Sequence, residues 1–497
     1  MKATILNQAG YYALGIIMMK GVSLLMIPYV TRQLSPTEYG TLEILLIFAD
    51  VTTIIIGFGL VEALNRFVGL ANKESGETES LISNCFALAL CVALLAMVAI
   101  VLSAQSIVSN LPANISTTQL LLITFPALLE GLIAIPLTLM RMQSLAKRFC
   151  FLNVVKALVQ AAMVIVLLQL DYGIDAILMA GAIASLLLVL CLIPYQWQQM
   201  AQHWCWQKSS EILRYGAPIV AGRLGLFAMT GLDRWLLADK VGIESLAVYA
   251  IAVKFALILG LLMQPFGLWW FPYRFVLLKQ QSGKKQCAEY AMLGTNLGLL
   301  LGFLMMLTVP SFMQLILPAA YHDAALIVLA LLAVNMVKNA GDLLNLGCFV
   351  NSSISQMWVQ WLCAVFAVIG YVLWIEDYGV WAAAGVLFSV YCMRLLLFYY
   401  YSQKILSLPY EHRNWLFVLV LGCCFVGALQ LAMNMPVPSF LVLEQLSLVW
   451  QFVLGLLLAL IYVMILIFVN VFPNPIQWLK NRSQQKIQKD QAKAVIL

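Results

Sequence analysis

Stretches of about 20 apolar residues, the length a helix needs to cross a bilayer, recur fourteen times along these 497 residues. They fall near 10–31, 41–64, 83–103, 118–140, 151–170, 175–195, 214–237, 244–267, 290–310, 323–345, 357–375, 379–402, 414–434 and 447–471. No water-soluble core absorbs so many, and only 10% of the residues are charged, against about 25% in a soluble domain. Lipid offers no partner for backbone N–H and C=O groups, so each span must close its own hydrogen bonds as a helix. The expected fold class is therefore an all-α integral membrane protein with 14 transmembrane helices. An even number puts both ends of the chain on one side. The first run follows Lys2 and has full spanning length, which predicts a helix that stays and not a cleaved leader.

Cations orient this array. Of the 28 Lys and Arg, six lie well inside the spans, away from their ends: Lys20, Lys156, Arg223, Lys254, Lys338 and Arg394. Arg32, Arg234 and Lys240 fall on one side, and the other nineteen occupy loops and tails of the opposite side. Such asymmetry marks the second side as cytoplasmic. The net charge of +6 is concentrated there, above all in the 480–493 tail. It implies contact with anionic membrane lipids and no nucleic-acid partner. The outside loops (104–117, 170–174, 309–322, 376–378 and 435–446) are short, which leaves no room for an extramembrane catalytic domain.

A weak internal repeat divides the chain. Ala13-Leu14-Gly15 matches Val220-Ala221-Gly222, and the turn Leu34-Ser35-Pro36-Thr37-Glu38-Tyr39-Gly40 matches Val241-Gly242-Ile243-Glu244-Ser245-Leu246-Ala247 at the same offset. Ser35 or Thr37 is placed to cap the second helix. Six spans separate the copies, so the halves run parallel about an axis along the membrane normal. The predicted organisation is two six-helix lobes in a pseudo-two-fold arrangement, 1–200 and 201–410, with helices 13 and 14 at 411–475 and a basic cytoplasmic tail at 476–497.

The charged residues inside the spans carry what chemistry there is. Glu43 and Asp50 are seven apart and share a helix face. Asp50 either bonds a neighbouring helix, with Lys20 as partner, or is a cavity acid that takes a proton or sodium ion. Glu62 with Arg66, and Lys338 with Asp342, are spaced as local ion pairs. Lys156 and Arg394 are close enough to the inner interface to snorkel. Glu130 shows no partner and is either a buried neutral acid or functional. For Lys20, Arg223 and Lys254, a cation at the bilayer centre costs roughly 2.5–3.5 kcal/mol. They therefore either pair structurally or line a hydrated cavity that binds an anion, phosphate being the natural guest of an Arg fork and a Lys point charge.

Other chemistry finds little support. The eleven cysteines show no C-x-x-C spacing and the three histidines stand far apart, so no metal site, disulfide or histidine nucleophile is predicted. No P-loop, G-x-S-x-G or H-E-x-x-H occurs, which predicts no cofactor and no catalytic residues. The aromatics at 269–273 and 399–401 read as interfacial belts.

At Arg32-Gln33-Leu34-Ser35-Pro36-Thr37-Glu38-Tyr39-Gly40, and again from Asp233-Arg234-Trp235-Leu236-Leu237 to Val248-Tyr249, the chain resembles the polysaccharide transporters of the multidrug/oligosaccharidyl-lipid/polysaccharide (MOP) superfamily, the O-antigen and exopolysaccharide flippases. The resemblance implies a central cavity among helices 1, 2, 7 and 8. It implies as cargo a polyprenyl-pyrophosphate-linked oligosaccharide, moved from inner to outer leaflet of a bacterial inner membrane by alternating access. Polysaccharide polymerase and chain-length proteins are the further partners it implies. Lys20, Arg223 and Lys254 sit on three of those four helices, Glu43 and Asp50 on the fourth. A cation-coupled multidrug exporter and a lipid II flippase of the same superfamily are the alternatives. A polysaccharide polymerase or ligase would need a long outside loop bearing its catalytic groups.

The charge asymmetry makes a topological prediction. A reporter active only outside the cytoplasm should be active when inserted at 171–173 and silent at 279–282, and the reverse result would invert the orientation.

Overall fold

A computed structural model describes residues 2–70, 77–200, 206–280, 282–350, 354–433, 444–469 and 471. The tail 476–497, His203 and Cys205 lie outside the described residues. Among the described residues the regular structure is helical throughout. The long elements are α1 (Lys2–Gln33), α2 (Pro36–Gly57), α3 (Leu60–Leu70), α4 (Glu77–Ser109), α5 (Thr117–Met142), α6 (Ala146–Gln169) and α7 (Gly173–Gln198). There follow α8 (Trp206–Thr230), α9 (Leu232–Lys240), α10 (Ile243–Leu278), α11 (Gly283–Ile316), α12 (Ala324–Leu344), α13 (Ile354–Ile405), α14 (His412–Met433) and α15 (Glu444–Phe468).

Thirteen stretches among the described residues are long and apolar enough to span a membrane. One of them, Met357–Ile405, covers 49 residues. It is interrupted at Gly379, whose φ of 57° and ψ of −133° are not helical. Read as two spans, it restores the predicted fourteen. Side chains such as Leu102, 82% exposed, and Phe468, 88% exposed, face outward in a way that only an apolar surrounding supports.

Helix boundaries follow local chemistry. Ser35 caps α2 with a reciprocal capping box: its hydroxyl accepts from the Glu38 N–H, and the Glu38 carboxylate accepts from the Ser35 N–H at 2.8 Å. Pro36 occupies the first turn, where its missing N–H costs nothing. The predicted second span is broken at its inner end. Phe58 (φ 41°) and Gly59 (φ 64°) are left-handed, which separates α2 from α3. The predicted seventh span likewise stops at Thr230, and α9 restarts after Gly231.

Two compact units are present. Unit 1 comprises Met1–Ile251, Leu317–Asp323 and Met357–Val390. Within it α1 packs on α6, α5 and α6 on α7, and α2 and α4 on α5. Leu60, Ala63, Leu64, Cys85 and Ile135 form a buried core where α3, α4 and α5 meet. Unit 2 comprises Ala252–Ile316, Ala324–Gln356 and Tyr391–Leu497. Its centre is α11, against which α12, α14 and α15 pack. Gly455 allows α15 to approach the Leu307 carbonyl, where a Cβ would sit 2.1 Å from the oxygen.

One hydrogen bond within unit 1 joins two positions at the offset of the sequence repeat. The Thr37 hydroxyl donates to the Glu244 carboxylate at 2.9 Å, and the two positions are 207 residues apart. Gly40 completes the approach, since a Cβ there would lie 2.2 Å from the Ile243 carbonyl oxygen.

The contact between α8 and the break that separates α2 from α3 is as tight. A Cβ on Gly216 would fall 2.1 Å from the Phe58 carbonyl oxygen, whereas one on Gly222 meets nothing within 4 Å. Gly216→Ala should therefore destabilise by about 1–3 kcal/mol through overpacking, and Gly222→Ala should not. Thermal unfolding of the two variants in detergent measures the difference; equal midpoints would refute the contact.

Candidate functional site

Sequence spacing pairs Glu62 with Arg66, but the fold pairs Glu62 with Arg223. The α2–α3 break lets α3 run against α8, and an Arg223 guanidinium N–H donates to the Glu62 carboxylate in an ion pair. The side chains of Arg223 and Glu62 remain 43% and 35% exposed. This exposure keeps the pair's net contribution to stability near 0–1 kcal/mol and leaves donors of the fork accessible. Arg66 instead lays its guanidinium over the Tyr215 ring, 4.6 Å from the centroid. Arg223 is thus paired across helices, one of the two roles its sequence position left open.

The remaining predicted residues are distributed as follows. Lys20 is exposed on α1. Asp50 is exposed on α2 and within electrostatic range of Arg234 and Glu43. Glu43 is 1% exposed and engaged by a partner. Lys254 is half-buried on α10, in unit 2, and is likewise engaged. Glu130 and Lys156, read separately from sequence, lie within electrostatic range of each other across α5 and α6.

Two groups escaped the sequence reading. Asp233, in the first turn of α9, is 1% exposed and accepts a 2.8 Å hydrogen bond from the hydroxyl of Tyr249, itself fully buried on α10. Arg234 beside it donates to the Thr230 carbonyl at 3.1 Å. The signal was there to find: Asp233 and Tyr249 are sixteen residues apart across the turn that ends the predicted seventh span. Arg274, assigned by sequence to an inner loop, is instead 4% exposed on α10. Its guanidinium bonds the Asn345 side chain at 3.1 Å and sits about 5 Å from the Phe271, Phe275 and Phe349 rings.

Unit 2 re-pairs its ions as well. Asp342 binds Arg394 at 2.8 Å, while Lys338 stays within electrostatic range of both. Arg394 does not snorkel: it is 8% exposed, with its guanidinium 4.7 Å from the Phe398 ring centroid. Of the expected aromatic belt, Trp270 is fully buried in the core of unit 2.

Chemically, the arrangement offers cations, acids and aromatic faces on helices crossing a membrane. Among the described residues no three or more His, Cys, Asp or Glu are grouped to hold a metal. The chain has a counterpart among solved structures. It is similar to the lipid II flippase MurJ in an inward closed conformation, with a TM-score of 0.70, 13% identity, and coverage of 91% of this chain and 98% of that one. This is the fold of the MurJ and MATE transporters. A point mutant of a MATE transporter superposes with a TM-score of 0.56 at 10% identity over 86% of this chain and 96% of the other. The MATE transporter VcmN of Vibrio cholerae in its bent form gives 0.51 at 13% over 81% and 98%. Residues 29–267 match the family profile described as polysaccharide biosynthesis protein. A comparison by sequence with curated proteins finds no match. The resemblance to MOP-superfamily transporters drawn from the sequence is borne out in fold.

The Asp233–Tyr249 bond yields a stability prediction. Tyr249→Phe removes the donor and should cost about 1–3 kcal/mol. Asp233→Leu combined with Tyr249→Phe should cost less than Tyr249→Phe alone, because no buried oxygen is then left without its donor. Unfolding midpoints of the single and double variants test this, and strictly additive losses would contradict it.

Proposed function

We propose that the chain is a flippase for a polyprenyl-pyrophosphate-linked oligosaccharide, an O-antigen or exopolysaccharide repeat unit. It carries this lipid from the inner to the outer leaflet of a bacterial inner membrane by alternating access between two six-helix lobes, with both termini cytoplasmic. The observation that carries the reading is the polysaccharide-biosynthesis match over 29–267 on a chain with the flippase fold of MurJ. MurJ's own name gives a lipid-linked cargo, which favours a lipid-linked substrate here over a multidrug substrate.

In this reading Arg223, Lys254 and Lys20 receive the pyrophosphate. The exposure of the Arg223–Glu62 pair supports Arg223, because an incoming phosphate can take the fork while Glu62 holds it in place between cycles. Asp50 and Glu43 are the coupling-ion residues, with Asp50 exposed and tied electrostatically to Arg234. Moving about two negative charges outward through an inside-negative potential is favourable by roughly 2.3 kcal/mol per charge per 100 mV. The field itself therefore assists transport, and no hydrolytic step is required.

Loss of one charge-assisted contact, worth about 1.5–3 kcal/mol, should reduce transport of the labelled lipid in vesicles roughly ten- to a hundredfold in Arg223→Ala and in Lys254→Ala. Arg223→Lys should recover part, lacking the fork. Glu62→Gln should keep transport, because it removes the competitor and not the receptor. Normal transport by both Ala variants at normal protein levels would overturn the assignment, and transport that requires ATP while ignoring every gradient would overturn the mechanism.

A further inference from the structure

Unit 2 contains a group of cations that the proposed cargo site does not use. Lys338 and Asp342 lie one turn apart on α12, and Arg394 reaches them from the second half of α13. Lys338 and Arg394 share one aromatic ring: the ammonium stands 5.9 Å and the guanidinium 5.6 Å from the Tyr391 centroid. Arg274 adds a third positive charge within electrostatic range of the same Asp342. Among the described residues one carboxylate, Asp342, lies near all three cations, so positive charge outweighs negative by about two in this cluster of α10, α12 and α13.

The donors tell the same story. Arg394 is 8% exposed, yet its Nε and one terminal nitrogen meet no hydrogen-bond partner among the described residues. The Phe398 and Tyr391 rings cover the guanidinium faces, but the N–H groups lie in its plane and point past those faces. Gly341 presents no side chain beside that terminal nitrogen, the nearest position a Cβ would take being 3.9 Å away. Asp342, with a third of its side chain exposed, marks where the cluster opens.

We propose that Lys338 and Arg394, backed by the charge of Arg274, form a binding site in unit 2 for one phosphate group. The Arg394 fork supplies the in-plane donors and Lys338 a point charge, the combination that phosphate oxygens fit. Asp342 is the internal competitor that occupies the fork when the site is empty. An anionic phospholipid headgroup and dissolved phosphate present the same oxygens. The site rests on neither Arg223 nor the identity of the cargo.

The test is binding, not transport, so it stands apart from the flippase reading. The full chain, delipidated in neutral detergent, is titrated with phosphatidylglycerol under native mass spectrometry. In parallel its melting is followed with inorganic phosphate. Wild type should retain one lipid that Lys338→Gln holds about tenfold more weakly. Asp342→Asn should hold it several-fold more tightly, because removing the competitor frees the fork. If phosphate reproduces this order and the lipid does not, the ligand is a soluble anion. If the lipid reproduces it and phosphate does not, the ligand is a headgroup. Lys338→Gln loses no ion pair and leaves the fold in place, so it decides the matter even where Asp342→Asn unfolds. Equal binding of both probes by wild type and Lys338→Gln, or weaker binding by a folded Asp342→Asn, would overturn the site.

Discussion

A charge in an apolar medium is tolerated when another group answers it, and in this protein the answers come across helices. Glu62 turns from its helix-mate Arg66 to Arg223, and Asp342 turns from Lys338 to Arg394. Arg66 and Arg394, relieved of or added to those pairs, cover aromatic faces at 4.6 and 4.7 Å. Each exchange joins elements that the chain brings together only by folding. The ion pairs therefore join separate helices, α3 to α8 and α12 to the second half of α13.

Breaks in the helices make those ties geometrically available. The left-handed pair Phe58 and Gly59 redirects α3 so that its first turns lie along α8, and Gly216 lets the two backbones touch. Gly231 resets the chain before α9, which buries Asp233 under Tyr249. Gly379 interrupts a 52-residue helix that would otherwise exceed any bilayer. Broken helices in a membrane are tolerable only where protein re-satisfies the freed backbone groups. In this chain they occur beside the charged residues.

Much of the fold was legible because the bilayer imposes a length. Spans of α5, α6 and α7 were found within about five residues, since each is one predominantly apolar run of bilayer length bounded by polar residues. The cap of α2 was legible as Ser35 or Thr37, and the structure puts it at Ser35. The repeat was visible as an offset of 207 and returned as the Thr37–Glu244 bond. The charged sites were less legible. Helical spacing identifies neighbours on one helix, and at both i, i+4 pairs a partner from another helix won. Arg274 was misplaced because α10 continues to Leu278, past the point where hydropathy falls and a loop was inferred.

The sequence by itself determined that this chain is a helical membrane protein of about fourteen spans, because backbone hydrogen bonding in lipid and the bilayer's thickness leave no other solution. It also assigned Lys20, Lys156, Arg223, Lys254, Lys338 and Arg394 to apolar runs, since that depends on position along the run, but it missed Arg274 at the end of α10. Tertiary structure alone decided who answers whom: Arg223 with Glu62, Arg394 with Asp342, Tyr249 with Asp233. Those choices depend on where helices break and cross, and side chains from distant segments compete for each charge on equal terms with its neighbours in sequence.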